Sequence, residues 1–473
     1  MAKTQLPKKS KSLSDWYNTV IFKAKLCDYG PSKGTMIIRP YAYAIWEEVQ
    51  KAMDLRIKDK GVKNAYFPIF IPEKFLKKEK SHVEGFSPEL AVVTIGGGEE
   101  LEEKLIVRPT SETIMYDAYS RWIQSYRDLP VLINQWNNVV RWEKRTYMFL
   151  RTTEFLWQEG HTAHATQEED LDFVIWAINM YRDIYKEYYA LDGYIGIKSE
   201  SEKFAGALTT YTFETLMPDG KSLQSCTSHD LGQNFSKAFD IKYQNKEGDE
   251  KYVWQTSWGF STRSLGGLFM AHGDDDGLIL PPKLAPTQVI IIPFDNSIDV
   301  LVCAMALKDK LIDLGIKVDL DDNDTQSFGY KINEWEIKGV PVRVEIGKKE
   351  LKDKKITIVG RLDKKRFSVD VLEVDFIKNL LEKMQKSLLD RHSAFLKENT
   401  RSASSYEEFK DIMRTKKGYV KAFWCENKKC ESQIKEETKA TTRCLPIDSK
   451  EESGECIYCK SKSKHRWLFA QAY

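Results

Sequence analysis

The sequence predicts an α+β protein in which a large antiparallel sheet is followed by a smaller α/β domain and a cysteine-bearing module. Residues 141–164 contain two strand-like runs around a charged turn, and polar and aromatic residues alternate along the second run. After Pro286, short β-branched runs alternate with helical patterns, which is typical of an α/β domain with some parallel strands. Cysteines are concentrated near the end of the chain.

Length and composition favour several folded domains. The chain has 473 residues, with 42% hydrophobic and 12% aromatic content, which is sufficient for well-packed cores. Basic residues number 72 and acidic residues 70, so any contact with RNA has to come from local patches. The sequence contains neither a long apolar run nor a secretory signal, so we expect a cytoplasmic protein without a membrane span.

Changes in pattern divide the chain into five parts. Residues 1–14 are expected to be a flexible basic tail, with a loose contact to RNA phosphates as the alternative. The first block covers residues 15–284, and Pro281, Pro282 and Pro286 mark its end. The α/β domain covers residues 285–385, a linker helix 386–403, and the last module 404–473.

Within the first block, hydrophobic periodicity predicts a helix over residues 40–55 and a long amphipathic helix over 165–191. A further helix is predicted over residues 111–126. Strand-like runs cover residues 64–72 and 105–107. From the end of the α/β domain into the linker, residues 376–398 have the pattern of a charged amphipathic helix.

Arginines are the candidates for holding phosphate. The glycine triplet at residues 96–98 is not followed by Lys-Ser/Thr, so it is not a P-loop, and the chain has no Rossmann glycine fingerprint. Arg141, Arg151 and Arg263 lie among aromatic and hydroxyl residues, and a guanidinium group can hold phosphate or carboxylate oxygens in pairs. The pattern predicts a pocket for a phosphorylated, carboxylate-bearing substrate on the floor of the sheet.

The cysteine spacing near the end predicts a metal site. Cys425 and Cys430 form a C-x₄-C pair, and Cys456 and Cys459 form a C-x₂-C pair. Without a secretion signal disulfides are disfavoured, and four thiolates in two close pairs are typical of structural zinc. Cys444 is a fifth cysteine that could replace one of the ligands.

Six segments occur in a fixed order along the chain. They are GTMIIRPYAYAIWEEV with NAYFPIFIP, RPTSE, RWEKRTYMFLRTTEFLWQEGHTAH, CTSHDLGQNF, TSWGFSTR and WEIKGVPVRVEIG. In turn they resemble the dimer-forming motif 1, the Thr-x-Glu signature, motif 2, a later block, motif 3 and the anticodon-binding domain of class II aminoacyl-tRNA synthetases of the prolyl group. The resemblance implies a class II synthetase fold, ATP and proline as substrates, Mg²⁺, tRNA(Pro) as partner and a homodimer.

The resemblance also implies roles for individual residues. Arg141 and Arg263 are the catalytic pair, with Arg141 between the proline carboxylate and the α-phosphate and Phe155 stacked on adenine. The residues implied for proline are Thr110, Glu112, Arg141, Trp157, Glu159, Phe204 and His229. Those implied for ATP are Arg141, Glu143, Arg151, Thr152, Phe155, Gln224, Thr227, Ser261 and Arg263. Those implied for the anticodon are Glu336, Arg343 and Lys349.

The stretch between Glu159 and Trp258 is too short for the large editing insertion of the bacterial type. With the cysteine-bearing tail, this resembles the archaeal/eukaryotic-type enzymes. A synthetase-like protein that binds RNA without activating an amino acid is the rival hypothesis, and the presence of Arg141, Glu112, His229 and Arg263 argues against it.

Two segments keep alternative interpretations. Residues 77–89 are predicted to be a lid that closes over proline or, alternatively, a static surface loop. The acidic run Asp274, Asp275 and Asp276 is predicted to be a solvated turn, with Mg²⁺ binding as the less favoured interpretation, because three adjacent carboxylates do not converge on one ion without further ligands.

Overall fold

The computed structural model describes residues 6–76, 90–371 and 373–473. The predicted lid, residues 77–89, and the first five residues of the predicted tail lie outside the described residues. Among the residues that are described, no helix is long and apolar enough to cross a membrane.

The first block combines long strands with helices packed against them. Its helices are α1 Leu13–Lys23, α2 Pro40–Asp59, α3 Glu73–Leu76, α4 Glu112–Trp122, α5 Gln167–Ile184, α6 Asn234–Ala238 and α7 Arg263–His272. Its strands are β1 Cys27–Tyr29, β2 Met36–Ile38, β3 Lys63–Asn64, β4 Phe70–Pro72, β5 Ala91–Gly96, β6 Glu99–Val107, β7 Val131–Val140, β8 Glu154–His164, β9 Gly193–Ile197, β10 Thr209–Leu216, β11 Ser222–Gly232, β12 Lys242–Gln244, β13 Glu250–Tyr252 and β14 Trp254–Ser261.

The predicted antiparallel floor is confirmed. The strands pair in the order β9-β10-β11-β14-β8-β7, all antiparallel, and β3 joins β7 in parallel at the edge. Helix α5 and the turn that follows it lie across one face, where Tyr181 and Tyr185 pack against Phe260 of β14. Since successive side chains of a strand face opposite sides, the other face is left for polar groups.

The second domain has a five-stranded sheet in the order β16-β15-β17-β18-β19. Parallel pairs join β15 to β16 and to β17, and the remaining pairs are antiparallel. Its strands are β15 Val289–Pro293, β16 Val318–Leu320, β17 Val342–Ile346, β18 Lys355–Gly360 and β19 Arg366–Asp370, and its helices are α8 Ile298–Asp313, α9 Phe328–Lys338 and α10 Lys348–Lys352. The predicted α/β domain with some parallel strands is therefore confirmed.

A long helix connects this domain to the last module. Helix α11, Asp375–Glu398, buries Ile377 and Leu381 in the core of the second domain and Leu388 against Ile279 and Ala190 of the first block. The module that follows contains α12 Tyr406–Thr415, α13 Lys428–Thr438 and strands β20 Thr400–Ser402, β21 Tyr419–Phe423, β22 Ala440–Pro446, β23 Gly454–Glu455, β24 Lys462–Ser463 and β25 Arg466–Gln471.

The last module extends the main sheet of the first block. Strand β22 pairs with β9 through Leu445 and Ile197, so eleven strands form one sheet among the described residues. Neither the composition nor the cysteine pattern of the module predicted this continuity.

Four local predictions differ from the structure. Arg141 and Glu143 do not lie on a strand, because β7 ends at Val140 and the backbone N–H of Thr153 donates to the carbonyl of Gly34 (2.8 Å). The helix expected over residues 165–191 ends in a π-helical turn, Tyr185–Tyr189, and the one expected over 111–126 ends at Trp122. The run over residues 64–72 is two short strands, β3 and β4, rather than one.

Candidate active site

A cavity of about 260 Å³ opens on the polar face of the main sheet, above β8, β14 and β11. Its lining includes all the residues predicted for proline and most of those predicted for ATP: Thr110, Glu112, Arg141, Phe155, Trp157, Glu159, Phe204, Gln224, Thr227, His229, Ser261 and Arg263. These residues are up to 153 positions apart in sequence (Thr110 to Arg263), so the sheet is what brings them together.

The strand register explains this convergence. Cross-strand pairing places His161, Ser257, His229 and Thr210 in one row across four strands. The next residue of the same face on each strand forms a second row, in which Glu159 lies opposite Gly259 and Gly259 opposite Thr227. A Cβ atom at Gly259 would lie 3.2 Å from the indole ring of Trp157, so a glycine there leaves space for that ring.

Two arginines of the cavity lining carry positive charge. Nε of Arg141 donates to the carbonyl of Pro109 (3.0 Å), and Nε of Arg263 donates to the carbonyl of Leu150 (3.0 Å). Burial, together with the nearby Arg141 and Arg151, lowers the pKa of Arg263 to about 10. A concentration of positive charge that lowers an arginine pKa favours the binding of an anion such as a polyphosphate.

Aromatic rings border the same region. The guanidinium carbon of Arg141 lies 5.5 Å from the ring centre of Phe155 and 5.4 Å from that of Trp157. The two rings are perpendicular to each other, with centres 6.0 Å apart. Flat apolar surface beside fixed cations can accommodate a heterocyclic base and a saturated ring.

Two buried carboxylates also line the cavity. Thr110 donates its hydroxyl hydrogen to Glu112. Glu159 accepts from the backbone N–H of Ser111 (3.1 Å) and from the side-chain amide of Asn137 (2.6 Å), and it lies 3.0 Å from Nε2 of His161. Burial raises a carboxyl pKa, yet His161 and these donors hold the pKa of Glu159 below its usual range.

Glu112, Glu159 and His161 are close enough together to resemble a metal site. However, Glu159 also accepts from the amide of Gln135 (3.1 Å), so protein donors already occupy its lone pairs. The arrangement is therefore a hydrogen-bond network that fixes Glu159, with Glu112 as the second carboxylate of the cavity.

His229 is held as a neutral ring. Its Nδ1 and Nε2 atoms each lie 3.0 Å from a hydroxyl oxygen, of Thr210 and Thr227 respectively, and its ring stacks on Phe204 at 4.5 Å. Burial, followed by the nearby His161 and Arg141, lowers the pKa of His229 to about 3. At neutral pH His229 can therefore act as a hydrogen-bonding wall of the cavity rather than as a cation.

Three predicted ATP residues do not line this cavity. Arg151 lies 3.5 Å from the carboxylate of Glu143 and is 45% exposed. The hydroxyl of Thr152 donates to the carbonyl of Glu154 (2.7 Å), and Thr152 borders a separate cavity beside Gly34. All three lie in the loop between β7 and β8.

Ser257 was missed by the sequence interpretation. Its hydroxyl group lines the cavity, is buried and, within the described parts of the chain, has no hydrogen-bond partner. The alternation of TSWGFS places Ser257 on the same face as Gly259 and Ser261, and this signal was available in the sequence. Gln135 and Asn137, which fix Glu159, could not be found because their role depends on pairing between β7 and β8.

The predicted cysteine ligands converge in the last module. Sγ of Cys425 lies 3.6 Å from both Cys430 and Cys459, and ligand atoms of Cys425, Cys430, Cys456 and Cys459 all lie within 4.8 Å of one another. Four thiols at this spacing suit tetrahedral zinc. Cys444 is buried on β22 against Gly196 and lies outside this group.

The predicted anticodon residues lie in the second domain. Arg343 lies on β17, where its Nε donates to Glu345 (2.9 Å) and its Nη1 lies 3.6 Å from the Glu336 carboxylate. Lys349 is on the short helix α10. Arg343 is thus held between two carboxylates.

Comparison with known proteins matches three parts of the chain to known families. Residues 93–271 match the "tRNA synthetase class II core domain (G, H, P, S and T)" and residues 288–383 match the "Anticodon binding domain". Residues 406–473 match "Prolyl-tRNA synthetase, C-terminal". A protein of Alkaliphilus oremlandii named proline–tRNA ligase is 50% identical over 463 residues, covering 97% of this chain and 96% of that protein.

The chain belongs to the prolyl-tRNA synthetase family. Proteins with the same name from Chlorobium luteolum and Chloroherpeton thalassium are 51% and 49% identical. They cover 98% and 99% of this chain, and 98% and 99% of their own lengths. The predicted family, its class II core and its anticodon-type domain are thereby confirmed.

Proposed function

We propose that this protein is a proline–tRNA ligase, which activates L-proline with ATP and transfers the prolyl group to the 3′ end of tRNA(Pro). The observation that carries the proposal is the cavity itself. Two partly buried arginines, Arg141 and Arg263, line it together with two buried carboxylates, 1% (Glu159) and 3% (Glu112) exposed. The arginines suit a polyphosphate and a carboxylate, and the carboxylates suit a cationic amine.

In the first step, a carboxylate oxygen of proline attacks the α-phosphorus of ATP, the bond to the β-phosphate breaks, and pyrophosphate leaves. Arg141 is proposed to bind both the attacking carboxylate and the α-phosphate. Arg263 is proposed to hold the γ-phosphate side, with Mg²⁺ sharing the charge of the triphosphate. Fixed cations lower the barrier because they need no reorganisation as charge develops.

The adenosine part of ATP is proposed to lie over Phe155, between that ring and Arg263. The other ATP contacts proposed are Glu143, Arg151, Thr152, Gln224, Thr227 and Ser261. For Glu143, Arg151 and Thr152 this requires the loop between β7 and β8 to approach bound ATP. The 3.5 Å Arg151–Glu143 pair would then position that loop.

Proline is proposed to bind beside the carboxylates of Glu112 and Glu159. Glu112 and Thr110 would accept hydrogen bonds from the secondary ammonium group, and the neutral ring of His229 would line the same pocket. Trp157, Phe204 and Glu159 would form the walls that limit the size of the side chain. A neutral His229 is favourable here, because a second cation would repel the ammonium group.

Further proposals concern the tRNA contacts, the oligomeric state, the subtype within the family and the domain division. Glu336, Arg343 and Lys349 are proposed to read the tRNA anticodon, and the motif 1 elements to form a homodimer in the cytoplasm. The chain is proposed to be of the archaeal/eukaryotic type. Its proposed division is a tail at residues 1–14, a catalytic domain at 15–284, an anticodon-binding domain at 285–385, a linker at 386–403 and a zinc domain at 404–473.

Proline-dependent exchange of pyrophosphate into ATP by the purified chain tests the first step. We expect exchange with proline and Mg²⁺ present, and charging of tRNA(Pro) when the tRNA is added. Absence of exchange under these conditions would contradict the proposal and favour a protein that binds RNA without activating an amino acid.

Zinc in the last module is tested by plasma emission on the same preparation. We expect about one zinc per chain, because four thiolates complete a tetrahedral shell and leave no open position. Cys456→Ser should lower the zinc content, whereas Cys303→Ser, which lies in the second domain, should not. Equal zinc content in the two variants would contradict the site.

A further inference from the structure

The acidic turn after α7 is a junction between domains. Both terminal nitrogens of Arg361 donate to the carboxylate of Asp274, at 2.8 and 2.6 Å, and Arg361 is 4% exposed. In the same turn, Lys364 pairs with Asp276 at the surface. The predicted turn is present and Asp276 is 53% exposed, but Asp274 and Asp276 are also paired with cations of the second domain.

Helix α7 connects this junction to the candidate active site. Arg263, the first residue of α7, lines the cavity, and His272 ends the helix two residues before Asp274. Burial is nearly continuous along α7, and Nζ of Lys9 donates to the carbonyl of Gly273 (2.6 Å) just beyond its end. A ten-residue helix packed in this way is a rigid element that joins the turn at Asp274 to Arg263.

Arg361 also contacts the proposed anticodon-reading pair. Its Nε donates to the backbone carbonyl of Glu336 (3.3 Å), and the side chain of Glu336 lies 3.6 Å from Nη1 of Arg343. The adjoining backbones are paired as well, since the N–H of Leu278 donates to the carbonyl of Ile337 (3.1 Å). One guanidinium group thus joins the end of α9 to the end of α7.

We propose that Arg361 is a positioning residue that couples anticodon recognition by Glu336 and Arg343 to the ATP-binding Arg263. This inference rests on the proposed function. A base that binds Arg343 competes with Glu336 for its guanidinium group, which changes the position of the end of α9. Because the guanidinium of Arg361 is planar and rigid, the Glu336 carbonyl and the Asp274 carboxylate cannot move independently, and α7 follows.

Aminoacylation kinetics with two transcripts test the coupling. One transcript is tRNA(Pro), and the other differs from it only in the anticodon. For the unsubstituted protein, we expect the altered anticodon to raise KM for tRNA and to lower kcat, the latter on the order of tenfold. In Arg361→Gln, the ratio of the KM values for the two transcripts should stay as in the unsubstituted protein. The ratio of their kcat values should approach one. Pyrophosphate exchange without tRNA should remain near that of the unsubstituted protein.

Two further variants make the result specific. Lys364→Gln removes the neighbouring surface pair with Asp276 and should leave both the KM ratio and the kcat ratio between the two transcripts unchanged. Arg361→Lys retains the charge without the paired hydrogen bonds, so it should lose most of the kcat ratio even if Arg361→Gln fails to fold.

The outcomes separate the two proposals. A retained kcat ratio in the Arg361 variants would overturn the coupling, and so would the joint loss of both ratios, which indicates a loosened domain. Absence of any anticodon effect in the unsubstituted protein, with proline-dependent exchange intact, would overturn the anticodon assignment and the coupling with it. Absence of proline-dependent exchange would instead overturn the proposed function itself.

Discussion

Two groups of charged residues lie at the main sheet, and their surroundings differ. The seam cluster, where the last module joins the first block, consists of Lys198, Glu214 and Arg443. Glu214 accepts from Lys198 (2.8 Å), from Arg443 (2.9 Å) and from the hydroxyl of Ser222 (2.7 Å), and it is fully buried. In the candidate active site, Arg141 and Arg263 instead lie near each other at an open cavity.

The pKa values of Arg443 and Arg263 shift in opposite directions. Burial lowers an arginine pKa, but in the seam cluster the carboxylate of Glu214 outweighs burial and raises the pKa of Arg443. In the cavity, burial and the nearby Arg141 and Arg151 act in the same direction and lower the pKa of Arg263 to about 10. A buried charge that lies against its own partner is structural, whereas a buried charge among like charges indicates a site for an external ion.

The largest effect is expected from Arg443→Met. This change leaves Glu214 with one cation fewer in a fully buried position, so we expect a loss of about 3–5 kcal/mol in the free energy of unfolding. Thermal and denaturant unfolding measure it. Lys464→Met, which removes an exposed pair with Glu451, is the matched control and should change the free energy of unfolding far less, because water screens that pair. Equal stability losses in the two variants would contradict a structural role for the seam cluster.

Arg141→Gln should lower activity and leave thermal stability nearly unchanged. Removal of a proposed transition-state cation should lower the rate of proline-dependent pyrophosphate exchange by about 100- to 1000-fold. The midpoint of thermal unfolding should stay close to that of the unsubstituted protein, because a like charge near Arg263 is removed. A clearly lower midpoint of thermal unfolding together with an unchanged exchange rate would contradict the contrast between the two sites.

The smallest effect concerns pH. Burial disfavours the charged form of Glu214, yet Arg443 and Lys198 outweigh it and hold its pKa at about 2, below the ordinary value of 4.5. A lowered carboxyl pKa stabilises the fold fully above about pH 4.5, and the stabilisation disappears as the pH falls towards 2. At pH 3.5 the loss should be about 1 kcal/mol.

Denaturant unfolding at pH 7, 4.5 and 3.5 measures this loss. The stability difference between the unsubstituted protein and Arg443→Met should narrow over this range, because the variant lacks the main cation that lowers the pKa of Glu214. A constant difference would show that Glu214 is not the titrating group.

Local pattern and spacing were sufficient for much of the site. Alternation grouped Arg151, Thr153, Phe155 and Trp157, of which Phe155 and Trp157 line the cavity. The two cysteine pairs correctly indicated one cluster, because they depend on residues close in sequence. The predicted strand around Arg141 was wrong, because Thr153 pairs with Gly34, more than a hundred residues earlier. Assignment of proline and ATP to individual residues came from resemblance alone, and those roles stay predictions.

The sequence by itself determined the antiparallel floor, the α/β domain, the cysteine cluster and the family, because periodicity, turn residues and motif spacing are local properties. The tertiary structure alone decided which charges are paired. Arg443 with Glu214 and Arg361 with Asp274 join residues 229 and 87 positions apart, a distance at which sequence pattern gives no signal. Whether a buried arginine stabilises the fold or is available to a substrate depends on that pairing.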